Sequence, residues 1–146
     1  MHTIGMAILG PVVALAAWTM VMWLWMYATR IPAINKLPQA NTPGADQGWT
    51  GAMLEELIPR EVQWKAHNYN HLHEAPTVFY AVALTLAVVG AGDGLNATLG
   101  WTYVALRVAH SIWQATVNKV MPRFFLFTLS TLVLIALTVR GAFAIF

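Results

Sequence analysis

Long apolar runs alternate along this chain with short polar breaks, and the runs have the length of membrane helices rather than of core strands. The first spans residues 4–29 and carries no charge. The second spans 61–89, polar in its first half and apolar in its second, and ends at Gly90-Ala91-Gly92-Asp93-Gly94, a composition that joins antiparallel helices. The third spans 95–117 with Arg107 and His110 near its middle, and after Asn118-Lys119-Val120-Met121-Pro122 the fourth spans 123–145. Each run reaches the roughly 20 residues that a bilayer crossing takes. The short second and third connections make the last three helices sequential antiparallel neighbours. The pattern therefore predicts an all-α fold: one integral membrane four-helix bundle occupying residues 1–146.

The long connection, 31–60, is rich in Pro, Gly, Asn and Gln. Within it Thr50 is placed to cap a short helix whose Met53, Leu54, Leu57 and Ile58 share one face, opposite Glu55 and Glu56. This pattern fits a piece lying on the membrane surface rather than a fifth span. The first run is too long for a signal-peptide core and has neither a basic leader nor a small-residue cleavage site.

Composition strengthens the membrane reading. Hydrophobic residues make up 58% and charged residues 10%, against roughly a quarter charged in soluble domains. Seven Trp and seven Met suit interfacial belts and adaptable apolar surfaces. The absence of Cys excludes disulfides, thiol catalysis and thiolate metal sites within the chain. A net charge of +2, dispersed along the sequence, excludes a nucleic-acid reader. Arg30, Lys36, Arg60, Lys65, Lys119 and Arg123 flank the first and third connections, whereas the 90–94 turn has no Lys or Arg. The positive-inside rule then puts those two connections in the cytoplasm and both termini outside it. No organelle-targeting or retention signal is present, which points to a bacterial inner membrane.

The candidate chemistry lies in residues 65–79, KAHNYNHLHEAPTVF, where polar side chains lead directly into an apolar run. Such groups are costly in a membrane helix unless they face a bundle interior or a wet cavity. Lys65, Tyr69 and His73 lie on one helical stripe, and His67, Asn70, His71 and Glu74 lie on the adjoining face. Headgroup solvation explains any one of them; the cluster reads as a ligand-facing surface. His67 and His71 have the spacing of helical metal ligands, but three or four ligands are needed and no second pair exists. Arg107, deep in an apolar helix, costs at least about 2.5 kcal/mol unless paired or solvated. Glu74 on the neighbouring antiparallel helix is the expected partner. His110, Gln114 and Asn118 extend the Arg107 stripe at helical spacing, and Arg123 opens the fourth helix.

Four spans, a long first connection, a polar second span and Arg107-Val108-Ala109-His110 in the third resemble the MAPEG family, membrane-associated proteins of eicosanoid and glutathione metabolism. Lys65-Ala66-His67, Asn70 and the Pro76 to Phe79 spacing are similar to that family's second-helix signature. The resemblance implies a homotrimer of four-helix subunits that binds glutathione between neighbours on the cytoplasmic side. It implies transferase, peroxidase or isomerase chemistry on lipophilic substrates. By motif, Asn70 would hold the glutathione backbone, and Arg107 with His110 would line the site from the third helix. Arg123 would stabilise the thiolate, and Arg30 would meet a carboxylate.

The sequence departs from the family pattern at several of these places. His73 stands where the Asn-x-x-Glu spacing expects glutamate, with the carboxylate one residue on at Glu74. Ala66 replaces a basic residue, with Lys65 adjacent; Gln114 and Phe127 replace aromatic hydroxyls. The expectation is a glutathione-dependent transferase or peroxidase-like protein acting on lipophilic electrophiles, with Arg123 catalytic and glutathione as co-substrate. Arg30, Lys65, Asn70, His73, Glu74, Arg107, His110 and Gln114 would bind that co-substrate. The alternative is a non-catalytic trimeric scaffold or lipid-binding accessory protein whose polar residues set helix registry. A metal-dependent oxidase built on His67 and His71 is the weakest reading. The partners implied are the lipid bilayer, lipophilic small molecules and further copies of the chain.

Overall fold

The computed structural model describes residues 4–38 and 49–146. His2 and the middle of the long connection, 39–48, lie outside the described residues. Six helices follow in order: α1 (Leu9–Asn35), α2 (Gly51–Leu57), α3 (Arg60–His71), α4 (Ala75–Val88), α5 (Leu95–Thr116) and α6 (Val120–Ile145). Among the described residues there are no strands. Both α1 and α6 are long and apolar enough to cross a membrane.

The 61–89 run is two helices rather than one. Pro76 has no N–H to give to the Leu72 carbonyl, and its ring crowds that carbonyl, so a continuous helix cannot pass. Proline is well tolerated in the first turn of a new helix, where α4 has it. The break is closed locally: the Leu72 N–H donates to Asn68 O, His73 N–H to Asn70 O, and the Thr77 hydroxyl to the Glu74 carbonyl at 2.6 Å. Pro122 acts differently from a breaker. Lys119 is the N-cap, α6 begins at Val120, and Pro122 falls in the first turn where N–H groups have no intrahelical partner. Arg123 is thereby brought into that turn. At the other boundary, α1 continues through Arg30 and Pro32 to Asn35, past the expected end at 29.

The short capped helix forms as expected. Thr50 Oγ1 accepts the Met53 N–H at 3.3 Å. Only part of its apolar face is covered: Leu54 and Ile58 are buried, Met53 and Leu57 exposed. Gln63 Nε2 donates to the Leu54 carbonyl and ties α2 to α3.

Helix α5 is central, packing on α1, α3 and α6, while α4 packs on α6 and α1. Helix α1 buries Pro11, Leu15, Thr19, Met22 and Met26 at three- and four-residue steps, and α6 buries Ser130, Leu134, Leu137 and Gly141. Much of the rest of α6 is exposed and apolar, including Phe124, Phe125, Leu132, Ile135 and Val139. In the core the rings of Phe79 and Tyr103 stack with centroids 4.6 Å apart. The segment before α1 lies on the α4–α5 turn: Gly5 N–H donates to Ala87 O and Ala7 N–H to Asp93 Oδ1, both at 2.9 Å. Gly5 and Gly92 approach so closely that a Cβ on either would overlap the other's backbone.

Candidate functional site

The polar part of α3, the His110–Gln114 part of α5 and Arg123 at the start of α6 converge at the end of the bundle opposite the Gly90–Gly94 turn. A cavity of about 350 Å³ opens there. Helix α3 supplies His67 and His71, the break supplies Glu74, α5 supplies His110 and Gln114, and α6 supplies Arg123 with Val120, Phe124 and Phe127. One wall is therefore ionisable and the other apolar.

Each polar side chain is held by a neighbour. The α5–α6 turn depends on Asn118, whose φ of 52° lies in the left-handed region that Asn tolerates better than most residues. Its N–H donates to the Trp113 carbonyl, closing α5, and its Oδ1 accepts from Arg123 Nη1 at 2.7 Å. One residue thus makes the turn and aims the guanidinium. On the opposite wall His71 Nδ1–H donates to Glu74 Oε2 at 2.5 Å. A carboxylate on Nδ1 fixes the tautomer and leaves Nε2 as the basic nitrogen. The His71 ring lies 5.3 Å from His110 and 5.4 Å from Phe127. Deeper in, the buried Asn68 donates from Nδ2 to Gln114 Oε1 at 2.9 Å and locks α3 to α5.

Arg107 lies below this wall, fully buried at 0% exposure. Its expected partner is replaced. Glu74 is engaged by His71, and Arg107 Nη2 instead donates to the His71 backbone carbonyl at 3.2 Å. The helix break explains the exchange: it frees carbonyls at the end of α3 and turns Glu74 outward, where its side chain is 66% exposed. The guanidinium also sits 6.0 Å from the Phe127 ring. Arg107 Nε and Nη1 and His110 Nδ1 are buried with no partner among the described residues.

Four of the expected ligand-binding residues lie elsewhere. Lys65 Nζ donates to Glu61 O at 2.6 Å and stands 5.7 Å over the Trp25 ring, against α1. His73 Nδ1 donates to Tyr69 O, its ring is edge-on to Tyr69, and it lines a separate groove with Thr19 and Tyr80. Asn70 is exposed, and Arg30 is half-buried on α1. None of the four lines the cavity that Glu74, His110, Gln114 and Arg123 share. The stripe of Lys65 and His73 thus faces away from the cavity, and Asn70, expected on the other stripe with His67, His71 and Glu74, does not line it either.

His67 and His71, read from the sequence as part of the polar cluster and as a metal pair but not named among the ligand-binding residues, both line the cavity. Among the described residues no three His, Asp or Glu side chains gather as a metal would require. His67 Nε2 instead pairs with Glu55 Oε1 at 2.9 Å and joins α2 to the cavity rim. The roles of Asn68 and Asn118 were also not anticipated. Asn68 carries no signal beyond its spacing, whereas an Asn in a short break between helices is a recognisable left-handed turn signal.

No curated protein and no solved structure matches this chain. The sequence model of one protein family does match, that of the MAPEG family, over residues 8–143. The match spans both flanks of α3, the whole of α5 and the tethered arginine of α6, and the chain is a membrane protein of the MAPEG family.

Proposed function

We propose that the chain is a glutathione-dependent transferase or peroxidase-like enzyme acting on lipophilic electrophiles taken from the bilayer. The observation that carries this reading is the pairing, across one 350 Å³ cavity, of a tethered Arg123 with the His71–Glu74 couple. A thiol needs a base to take its proton and a cation to hold the resulting charge. His71 Nε2 accepts the S–H proton, and Glu74 stabilises the imidazolium that forms. Arg123 holds the thiolate, since a cation beside sulfur lowers the thiol pKa. The sulfur lone pair then forms the new bond to the electrophile; the displaced group leaves, or an added carbanion takes the proton back from His71. Phe124, Phe127 and Val120 offer the apolar surface on which a lipophilic substrate rests.

On this reading four spans per chain, with α3 and α4 together forming the second, associate as a homotrimer in a bacterial inner membrane, both termini outside the cytoplasm. The flank of α3 bearing Lys65, Asn70 and His73, together with Arg30 of α1, then serves a neighbouring protomer's cavity. Arg107 supports the bound anion from below.

The test is the ultraviolet absorbance of a thiolate in detergent-solubilised protein with saturating glutathione at neutral pH. A free thiol, with a pKa of about 8.5, is mostly protonated there. Arg123→Leu should abolish the band and leave the oligomer intact; Arg123→Lys should keep part of it, because a point charge remains without the fork geometry. A second reading, the non-catalytic trimeric scaffold, is favoured by Phe127, which places a ring where a hydroxyl donor would aid catalysis. Absence of a thiolate band in the parent protein supports the scaffold.

A further inference from the structure

The other end of the bundle contains a cation outside the site described above. Of the eight Lys and Arg residues, Arg140 alone lies at the Gly90–Gly94 end. It has not been left to extend freely into solvent. Its Nε donates to Asn96 Oδ1, and Asn96, only 5% exposed, donates from Nδ2 to the Ala91 carbonyl at 2.6 Å. A buried amide thus links the α4–α5 turn to the guanidinium on α6 and fixes its direction. A cavity of about 250 Å³ opens at that point, lined by Ala91, Asn96, Arg140, Phe143 and Ala144.

Only one of the five guanidinium N–H groups is used. Among the described residues the other four have no partner, and no carboxylate lies within ion-pairing distance of Arg140. Asp93, the acidic residue of the adjacent turn, is engaged with the Ala7 N–H. Phe143 is 85% exposed, and Ile145 and Phe146 beside it are exposed too. A fixed, unneutralised fork beside bare apolar surface at the end of a membrane helix matches an amphiphile with an anionic head.

We propose that this cavity is a phospholipid site, in which Arg140 holds the phosphodiester through its two terminal nitrogens and the acyl chains lie against Phe143 and the exposed face of α6. The fork matches phosphate geometry, and Asn96 pre-orders it so that little side-chain entropy remains to be lost on binding. On the topology expected from the other basic residues, the lipid belongs to the outer leaflet. A lipid is the occupant rather than free phosphate because the cavity wall beside the guanidinium carries the bare ring of Phe143. The site lies at the end away from the glutathione cavity and does not depend on that reading.

The experiment is a titration of the full-length, delipidated protein in detergent, with phosphatidylglycerol in one arm and inorganic phosphate in the other. It is read by native mass spectrometry and by thermal unfolding. The parent should retain phosphatidylglycerol and melt higher with it, and inorganic phosphate at equal concentration should do neither. Arg140→Gln should weaken lipid retention by about tenfold or more, the size of a lost hydrogen bond to a charged group. Asn96→Leu should weaken it by freeing the guanidinium, whereas Lys119→Gln, which removes a charge at the far end, should not. Should Arg140→Gln fail to assemble, Arg140→Lys decides, since it keeps the charge and loses the fork: retention weakened is expected, retention equal to the parent overturns the proposal. Equal retention by Arg140→Gln, or stabilisation of the parent by inorganic phosphate as strong as by the lipid, also overturns it.

Discussion

Arg107 offers the sharpest test of how this bundle tolerates a buried charge. Had it paired with Glu74, removing it would strand a buried carboxylate, at a cost of about 3–5 kcal/mol. The geometry differs: Glu74 is exposed and bonded to His71, so nothing is stranded when Arg107 is lost. What the guanidinium contributes is one hydrogen bond to the His71 carbonyl, about 1.5–3 kcal/mol, and its position over Phe127, up to about 2 kcal/mol when desolvated. Against these stands the burial of an arginine among apolar helices, at least about 2.5 kcal/mol. The two sides nearly cancel.

Arg107→Met, which keeps most of the volume and removes the charge, should therefore leave the unliganded protein within about 1–2 kcal/mol of the parent. Arg107→Ala adds a cavity, worth about 2–5 kcal/mol more. Thermal unfolding of both variants in one detergent measures the difference, and glutathione titration of Arg107→Met reports the functional half. Near-parental melting with loss of the glutathione-induced shift is the expected pair of results. If Arg107→Met melts as low as Arg107→Ala, the charge itself is structural and the cancellation is wrong.

Other substitutions separate packing from chemistry. Gly92→Ala should lower the melting midpoint by several degrees, because its Cβ would overlap the Gly5 carbonyl oxygen and press on Ile8; a parental melting curve would show that the two segments are not in contact. Asn118→Gly should preserve stability, since glycine accepts a positive φ, yet weaken the glutathione thiolate band by untethering Arg123; an undiminished band would mean that the tether does not matter. Glu74→Gln, unlike Arg123→Leu, should leave glutathione affinity largely unchanged while slowing conjugation, because it removes the support of the His71 imidazolium. Matching losses of affinity in both variants would assign Glu74 to binding alone.

Most of the helix placement was legible because a lipid-facing chain writes its helices as apolar runs and its turns as Gly, Asn and Pro. The same uniformity hid the helix faces. On α6 nearly every residue is apolar, so Ser130, Leu134, Leu137 and Gly141 cannot be told from their neighbours as the buried row. Proline was ambiguous for a local reason. Pro76 and Pro122 both fall in the first turn of a helix, but Pro76 divides one apolar-ended run into two helices whereas Pro122 lies within a helix that starts before it. The difference is set by where the preceding N-cap falls, and in α6 that depends on Asn118 taking a left-handed conformation.

The site was legible as a position and not as a set of partners. The stripe spacing on α3 separated Lys65, Tyr69 and His73 from His67, His71 and Glu74, which line the cavity, but it put Asn70 with the second group, and Asn70 lies outside the cavity. Which stripe meets α5 and α6 depends on the rotation of α3 about its own axis, which both Asn68 against Gln114 and the Arg107 bond to the His71 carbonyl hold. With these ties in place a histidine–carboxylate couple, rather than the lysine flank, lines the cavity with Arg123. Polar groups on opposite sides of one short helix therefore need not compete: one flank lines the cavity, while Lys65 lies against α1. A chain with Asn68→Leu loses that lock, leaves the Gln114 amide without its buried partner, and should let α3 rotate, weakening glutathione binding at His71 and Arg123 together.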